Sequence, residues 1–261
     1  MKKKQEILVA KIGGNIIEDD KALNSFLYDF SKIKTPKILI HGGGKSATQL
    51  AHKLGIKTEM IDGRRITSKE NLDIIVQTYA GLLNKTIVSG LQKNDCNAIG
   101  LTGADANIIL AEKRPVRFID YGFVGDVVNV DAKMIKGLLE LGLTPVFCAV
   151  THDKNGQLFN TNADTIASEI AASLSQYYEV SLFYCFELQG VLRDINDKES
   201  VIEHIDLIKY TMLRDENVIN DGMLPKLQNC FDALQKNVNK VHIANADFIK
   251  DQTIKHTTLS L

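Results

Sequence analysis

The chain has 261 residues, is 44% hydrophobic and carries a formal charge of -1 at pH 7, with a pI near 6.6. That length suits one large α/β domain or two lobes sharing a sheet. Near-neutrality argues against a nucleic-acid or anionic-membrane surface as the partner. The apolar run after the opening lysines stops at Lys11, so the sequence predicts neither an export signal nor a membrane span, and a cytoplasmic location. Cys96, Cys148, Cys185 and Cys230 are widely spaced, form no Cys-x-x-Cys and read as reduced thiols. The six histidines show no ligand spacing; His41, beside a glycine run, reads as structural rather than metal-binding.

In chain order, residues 7–11 form a short β-type run ended by Gly13 and Gly14. Asp19 and Asp20 can cap a helix whose apolar positions Leu23, Phe26, Leu27, Phe30 and Ile33 recur at helical spacing. A second apolar run, residues 37–41, breaks into Gly42-Gly43-Gly44 and passes at once into a helical segment over 46–53. Both glycine turns thus follow strands in βαβ order, which predicts a parallel sheet with ligands at its carboxyl ends. Glycine lets a backbone approach a ligand closely, and helix N-termini attract anions, so phosphate is the expected guest. Either turn alone would equally suit an ordinary strand-to-helix connection.

Asp62-Gly63-Arg64-Arg65-Ile66-Thr67 is a polar turn before a long helix over 68–93, for Thr67 with Glu70 makes a capping box. Its stripe of Leu72, Ile75, Val76, Tyr79 and Leu83 suits either the core or a subunit interface. Residues 97–101 read as a strand, 107–130 as one or two hairpins, 132–141 as a helix and 145–150 as another apolar strand. Asn162 can cap the helix that runs to Leu174, with Asp164 in its first turn; capping alone would account for both. A strand over 180–186, alternating helix and loop after Gly190, a last long helix opened by Asp221-Gly222-Met223-Leu224-Pro225-Lys226, and a strand over 240–244 complete the chain.

Lys11 with Gly13-Gly14, His41-Gly42-Gly43-Gly44, Gly63-Arg64-Arg65-Ile66-Thr67, Asn160-Thr161-Asn162-Ala163-Asp164, Gly190-Val191-Leu192 and Gly222-Met223-Leu224-Pro225-Lys226 follow one another in an order and spacing that resemble the amino acid kinase family. The likeness covers nearly the whole chain. It implies a three-layer αβα sandwich around a mainly parallel central sheet, in two lobes: residues 1–176 for acylglutamate binding and dimerisation, residues 177–261 for the nucleotide. The implied reaction is ATP-dependent phosphorylation of the side-chain carboxylate of an N-acylated glutamate in arginine biosynthesis, with N-acetyl as the default and N-succinyl as the alternative. A non-catalytic ligand-binding protein of the same fold is the rival from another class.

By the same resemblance, Lys11 and Lys226 flank the transferring phosphoryl group, Asp164 holds both lysines, and Gly13, Gly14, Gly43 and Gly44 offer N–H groups to phosphate and substrate. Arg65 and Asn160 are expected to grip the α-carboxylate of the substrate. Mg2+ is expected to bind through the ATP phosphates, with no protein metal site. The chemistry agrees: a carboxylate is already a nucleophile, so what the site must supply is positive charge to bring two anions together. Arg64 could meet a second carboxylate on the acyl group or be a solvated surface arginine. Phe186-Glu187 departs from the Ser/Thr-Asp usual in the family and alters the nucleotide pocket, and residues 245–261 lack the usual endings. The resemblance also implies a homodimer insensitive to arginine, because the extra N-terminal helix of arginine-inhibited hexamers has no counterpart before the first strand.

Overall fold

The structure, a computed structural model, describes residues 4–61, 63–216, 218–219 and 223–261. Its strands and helices follow in the order β1 (Gln5–Ile12), α1 (Gly14–Ile17), α2 (Asp20–Lys32), β2 (Lys37–His41), α3 (Gly44–Lys53), β3 (Glu59–Ile61), β4 (Arg64–Ile66), α4 (Lys69–Ile75) and, after a π-helical stretch (Val76–Leu83), α5 (Asn84–Gln92). Then come β5 (Ala98–Leu101), β6 (Ile109–Lys113), β7 (Gly125–Val130), α6 (Ala132–Glu140), β8 (Thr144–Cys148), β9 (Val150–His152), β10 (Leu158–Asn160) and α7 (Ala163–Leu174). The chain ends with β11 (Tyr178–Cys185), β12 (His204–Ile205), α8 (Leu207–Asp215), α9 (Leu224–Gln235), β13 (Lys240–Ala244) and β14 (Thr257–Leu259).

Eight strands form the central sheet in the order β12-β14-β13-β11-β1-β2-β8-β5. From β13 to β5 every pair is parallel; β14 runs against β13, and the edge strand β12 runs with β14. The central strands are buried on both faces, which is why their sequences read as continuous apolar runs; all five residues of β2 and of β8 are buried. Lys37, at the start of β2, is tolerated there because its ammonium caps α2, donating to the carbonyls of Ser31 and Ile33 at 2.9 and 2.7 Å. Helix α2 packs with α5, and α7 packs with α6 and α9, giving two helical groups around the sheet.

The connection from β1 leads to β2 on one side, and that from β11 to β13 on the other. Neighbouring parallel strands whose connections part in this way open a crevice at their carboxyl ends. Lys11 and Cys185 stand at that end of β1 and β11.

Several elements differ from the sequence expectation, each for a physical reason. The helix expected over 68–93 widens into π-helix over Val76–Leu83, which turns Tyr79 and Leu83 onto Gly43 and lets Asn84 reach His41. Its apolar stripe is core: Leu72, Ile75 and Tyr79 are buried within this single chain, so the stripe is not a free interface. The strand expected over 145–150 breaks at Ala149, and the chain passes from the central sheet into a second sheet, β10-β9-β6-β7. Both halves are buried, so one apolar run serves two sheets. Where a polar turn was expected, Arg64–Ile66 forms a strand, β4, that pairs antiparallel with β3, Met60 opposite Arg65. The last long helix begins at Leu224; Asp221 and Gly222, expected to open it, lie outside the described residues, as does Asp62.

Candidate active site

Two adjoining cavities open at the carboxyl ends of β1, β2 and β11, with Gly44 in the wall of both. One, of about 340 Å3, is lined by Lys11, Gly13, Gly14, Asn15, Lys45, Phe186, Glu187 and Lys226 among others. The other, of about 280 Å3, is lined by Gly42, Gly43, Arg64, Arg65, Tyr79, Arg114, Asn160 and neighbours.

The first cavity collects cations and helix starts. Apolar packing along β1 holds Lys11 at the strand's last turn toward the crevice, where its Nζ lies 2.8 Å from Asp164 Oδ1. The two side chains are only 12% and 17% exposed. Asp164 sits in the first turn of α7, whose start is fixed by the Asn162 side chain accepting from the amides of Asp164 and Thr165 at 2.8 and 3.0 Å. Oδ1 of Asp164 is buried and receives no aligned hydrogen bond, so its compensation comes from the charge of Lys11. Helices α1 and α3 both begin at glycine, and the first-turn amides of a helix have no partner within it. The stem of Lys45 lies along Gly14, and its Nζ donates to Asn15 Oδ1 at 2.6 Å, tying the two turns together. Cys185, at the edge of this cavity, is no nucleophile: burial pushes its thiol up to about 12, with Lys11 opposing.

The second cavity is organised by the triple-glycine turn. A Cβ on Gly43 would come within 2.4 Å of Leu83 Cδ1 and 2.9 Å of the Tyr79 ring, so no other residue fits against the π-helical stretch. His41 is fully buried; its Nε2 accepts from Asn84 Nδ2 at 3.1 Å, which leaves Nδ1–H to donate to the Gly42 carbonyl at 2.8 Å. Asn84 also donates to the Val146 carbonyl at 3.0 Å, so the turn is pinned to β8. Burial lowers the His41 pKa to about 4, and the ring is neutral.

Arg65 is 8% exposed. Its guanidinium donates to the Gly44 carbonyl at 2.9 Å, to Thr48 Oγ1 at 2.6 Å and to Thr58 Oγ1 at 3.2 Å, and burial lowers its pKa. Among the described residues it has no carboxylate partner. Tyr79 presents its hydroxyl toward Gly44, and burial pushes its pKa to about 12. Asn160, at the end of β10, is oriented by donating to Thr67 Oγ1 at 3.0 Å. On the outer side, Arg114 is clasped by Asp126 through Nε at 3.0 Å and Nη2 at 2.6 Å, and Arg64 is exposed.

The fold thus gathers Lys11, Gly13, Gly14, Gly44 and Lys226 around one cavity and Gly43, Gly44, Arg65 and Asn160 around the other. Asp164 was expected to hold both lysines. Among the described residues it pairs with Lys11 alone, while Lys226 Nζ lies 4.5 Å from the centre of the Phe186 ring. Reasoning from sequence passed over Lys45, Asn15, Tyr79 and Arg114. Adjacency to the glycine turns could have flagged Lys45 and Asn15; nothing local marks Tyr79 or Arg114.

The chain belongs to the amino acid kinase family, whose model matches residues 6–245. Among curated proteins it is 52% identical over 256 residues to an acetylglutamate kinase of Cytophaga hutchinsonii, covering 98% of this chain and 97% of that one. An acetylglutamate kinase of Bacteroides fragilis is 50% identical over 248 residues, covering 95% of each chain. Among solved structures, the crystal structure of smu.665 from Streptococcus mutans UA159 superposes with a TM-score of 0.80 at 24% identity, covering 97% of this chain and 98% of the other, a likeness of fold.

Proposed function

We infer that this chain is an acetylglutamate kinase, an enzyme of arginine biosynthesis that transfers the γ-phosphoryl group of ATP to the side-chain carboxylate of N-acetylglutamate. The observation that carries the reading at the site is Arg65: a buried guanidinium without a carboxylate partner among the described residues, opening on a cavity that adjoins a lysine-lined one. A buried cation of this kind suits an anionic ligand, since an unpaired buried charge is costly.

In this reading Arg65 and Asn160 bind the α-carboxylate, and the side-chain carboxylate points past Gly43 and Gly44 toward the lysines. One of its oxygens attacks the γ-phosphorus in line, the bond to the β,γ-bridging oxygen breaks, and ADP leaves. No general base is required. Lys11 and Lys226 oppose the negative charge on the transferring group and the leaving oxygen, and the first-turn amides at Gly13, Gly14 and Gly44 donate to phosphate oxygens. Asp164 keeps Lys11 aimed into the cavity. Glu187 is the acidic side chain of a lining otherwise rich in cations and amides. That set suits nucleotide phosphates, with Mg2+ held chiefly by the phosphates themselves and supplying further charge neutralisation.

In the division of labour we propose, residues 42–165 supply most of the acylglutamate pocket, while the lysine-lined cavity joins residues 11–45 to Cys185, Phe186, Glu187 and Lys226, the last four opening the nucleotide side. A cytoplasmic homodimer belongs to the same proposal. All four cysteines are free and buried, and no helix among the described residues is long and apolar enough to cross a membrane. The dimer surface is one other than the buried stripe of α4.

One observation favours N-succinylglutamate as a second substrate reading. Arg64 and Arg114 line the same cavity as Arg65, so an acyl chain ending in a carboxylate would meet positive charge there. Arg114 already serves Asp126, which leaves Arg64 as the group to read it.

The test is incubation with Mg-ATP and N-acetylglutamate, trapping the acyl phosphate with hydroxylamine. Hydroxamate in step with ADP is expected. Binding of N-acetylglutamate without ADP release would support the non-catalytic alternative instead.

A further inference from the structure

Lys226 is set differently from Lys11. Among the described residues no carboxylate lies within ion-pair distance of its ammonium; the group rests over the Phe186 ring, 4.5 Å from the centroid. Phe186 follows the last residue of β11, and its amide donates to the Ala244 carbonyl at 2.8 Å, so the backbone beneath the ring is fixed to β13. Two positions back along the chain, on the same side as alternation requires, Tyr184 lies nearly parallel to Phe186, with ring centroids 6.3 Å apart and planes 9° apart. The Tyr184 hydroxyl donates to the main-chain carbonyl of Asp164 at 3.1 Å. Asp164 in turn holds Lys11 through its side chain. A continuous path therefore joins the two lysines: ion pair, helix turn, hydrogen bond, stacked rings, ammonium.

We propose that Phe186 is the positioning residue of Lys226, its ring face holding the ammonium over the transfer cavity and linking it through Tyr184 to the turn of α7 that holds Lys11. An aromatic face attracts a cation through its quadrupole without neutralising it. A carboxylate in that place would cancel the charge that the phosphoryl group has to meet. The two lysines are thereby held by different means from one helix start: Lys11 by the carboxylate of Asp164, Lys226 by a ring stacked on the tyrosine that grips the Asp164 carbonyl. The inference rests on the proposed role of Lys226 at the transferring phosphoryl group.

The experiment is a series at position 186 in the full chain: phenylalanine, its mono-, di- and trifluoro analogues, Phe186→Tyr and Phe186→Leu, with kcat, KM for ATP and melting temperature measured for each. Fluorine withdraws electron density from the ring face while nearly preserving its shape, a change that a purely structural role would not feel. We expect kcat to fall stepwise with fluorination, by about tenfold at the trifluoro analogue. KM for ATP and melting temperature should hold, Phe186→Tyr should stay near wild type, and Phe186→Leu should lose kcat at least as far. A flat kcat across the fluorinated series overturns the proposal, as does a series in which only KM for ATP rises, which would make the ring a platform for the nucleotide. Lys226→Met separates the two levels of inference. A large loss of kcat there with a flat fluorinated series removes only the role of Phe186, whereas wild-type kcat in Lys226→Met removes the phosphoryl role of Lys226 and the proposal with it.

Discussion

Lys11 Nζ lies 2.8 Å from Asp164 Oδ1, joining the end of the sheet's central strand to the first turn of a helix that starts more than half the chain later. Oδ1 of that carboxylate is buried and has no aligned hydrogen bond to offset its desolvation, so the contact is held by charge on both sides.

Lys11→Ala should therefore do two kinds of damage. Phosphoryl transfer should fall by about a hundredfold or more, the scale for one preorganised charge in such a site, and the abandoned Asp164 carboxylate should lower stability. Asp164→Asn strands the other half of the pair: Lys11, only 12% exposed, loses its carboxylate, so melting temperature should fall there as well, while kcat drops severely because the ammonium is no longer aimed. Near-wild-type turnover in Asp164→Asn would reduce Asp164 to a helix-start residue.

Gly43→Ala should destabilise the fold by about 1–3 kcal/mol, the range for overpacking a filled interior, because its Cβ would meet Leu83 Cδ1 at 2.4 Å. Denaturant unfolding measures this. Recovery of stability in the double variant Gly43→Ala with Leu83→Ala would assign the loss to that contact; an undiminished midpoint in the single variant would refute it.

The acid limb of stability should carry the signature of buried imidazoles. His41 and His242 both have folded pKa values lowered to about 4 by burial, from an ordinary value of 6.5. Between these values the unfolded chain binds protons that the folded chain does not, so stability is full above pH 6.5 and is lost as pH falls toward 4. Each group contributes a loss of about 2 kcal/mol by about pH 5. Denaturant midpoints from pH 7.5 to 5 should fall in wild type and fall less steeply in His242→Gln. A flat profile in wild type would show that neither ring is held neutral.

The acyl group is decided by comparing kcat/KM for N-succinyl- and N-acetylglutamate in wild type and Arg64→Leu. If Arg64 reads a terminal carboxylate, wild type prefers succinyl and the substitution erodes that preference by about tenfold, the scale of one partly buried charge-assisted contact. An unchanged ratio shows that Arg64 does not read the acyl group, and an acetyl preference in wild type leaves acetyl as the substrate.

What sequence reasoning could see here was periodicity and punctuation. The runs ending at Lys11 and His41, the glycines after them and the Asn162 cap are local patterns with local causes, and they locate the crevice. The π-helical stretch was invisible because apolar spacing along Leu72, Ile75, Tyr79 and Leu83 suits a helix of either width. The break at Ala149 was invisible because burial in either of two sheets demands the same apolar residues. Phe186 stood out only as a departure from a motif. That its face meets Lys226 depends on how α9 returns across the sheet, a tertiary fact with no local signal.

The placement of β1 between β2 and β11 also sets an order of events in folding. Gln5 finds its register partner at Tyr178, and Lys11 its own at Tyr184, so the earliest strand to be made borders one of the latest. Closing so long a loop is entropically slow, and such non-local parallel pairing dominates folding times. During synthesis one edge of the first strand must wait for most of the polypeptide, and Lys11 cannot meet its register partner Tyr184 until residue 184 has been made. A chain cut before β11 would thus expose an apolar strand edge, a template for association between copies rather than a partly working enzyme.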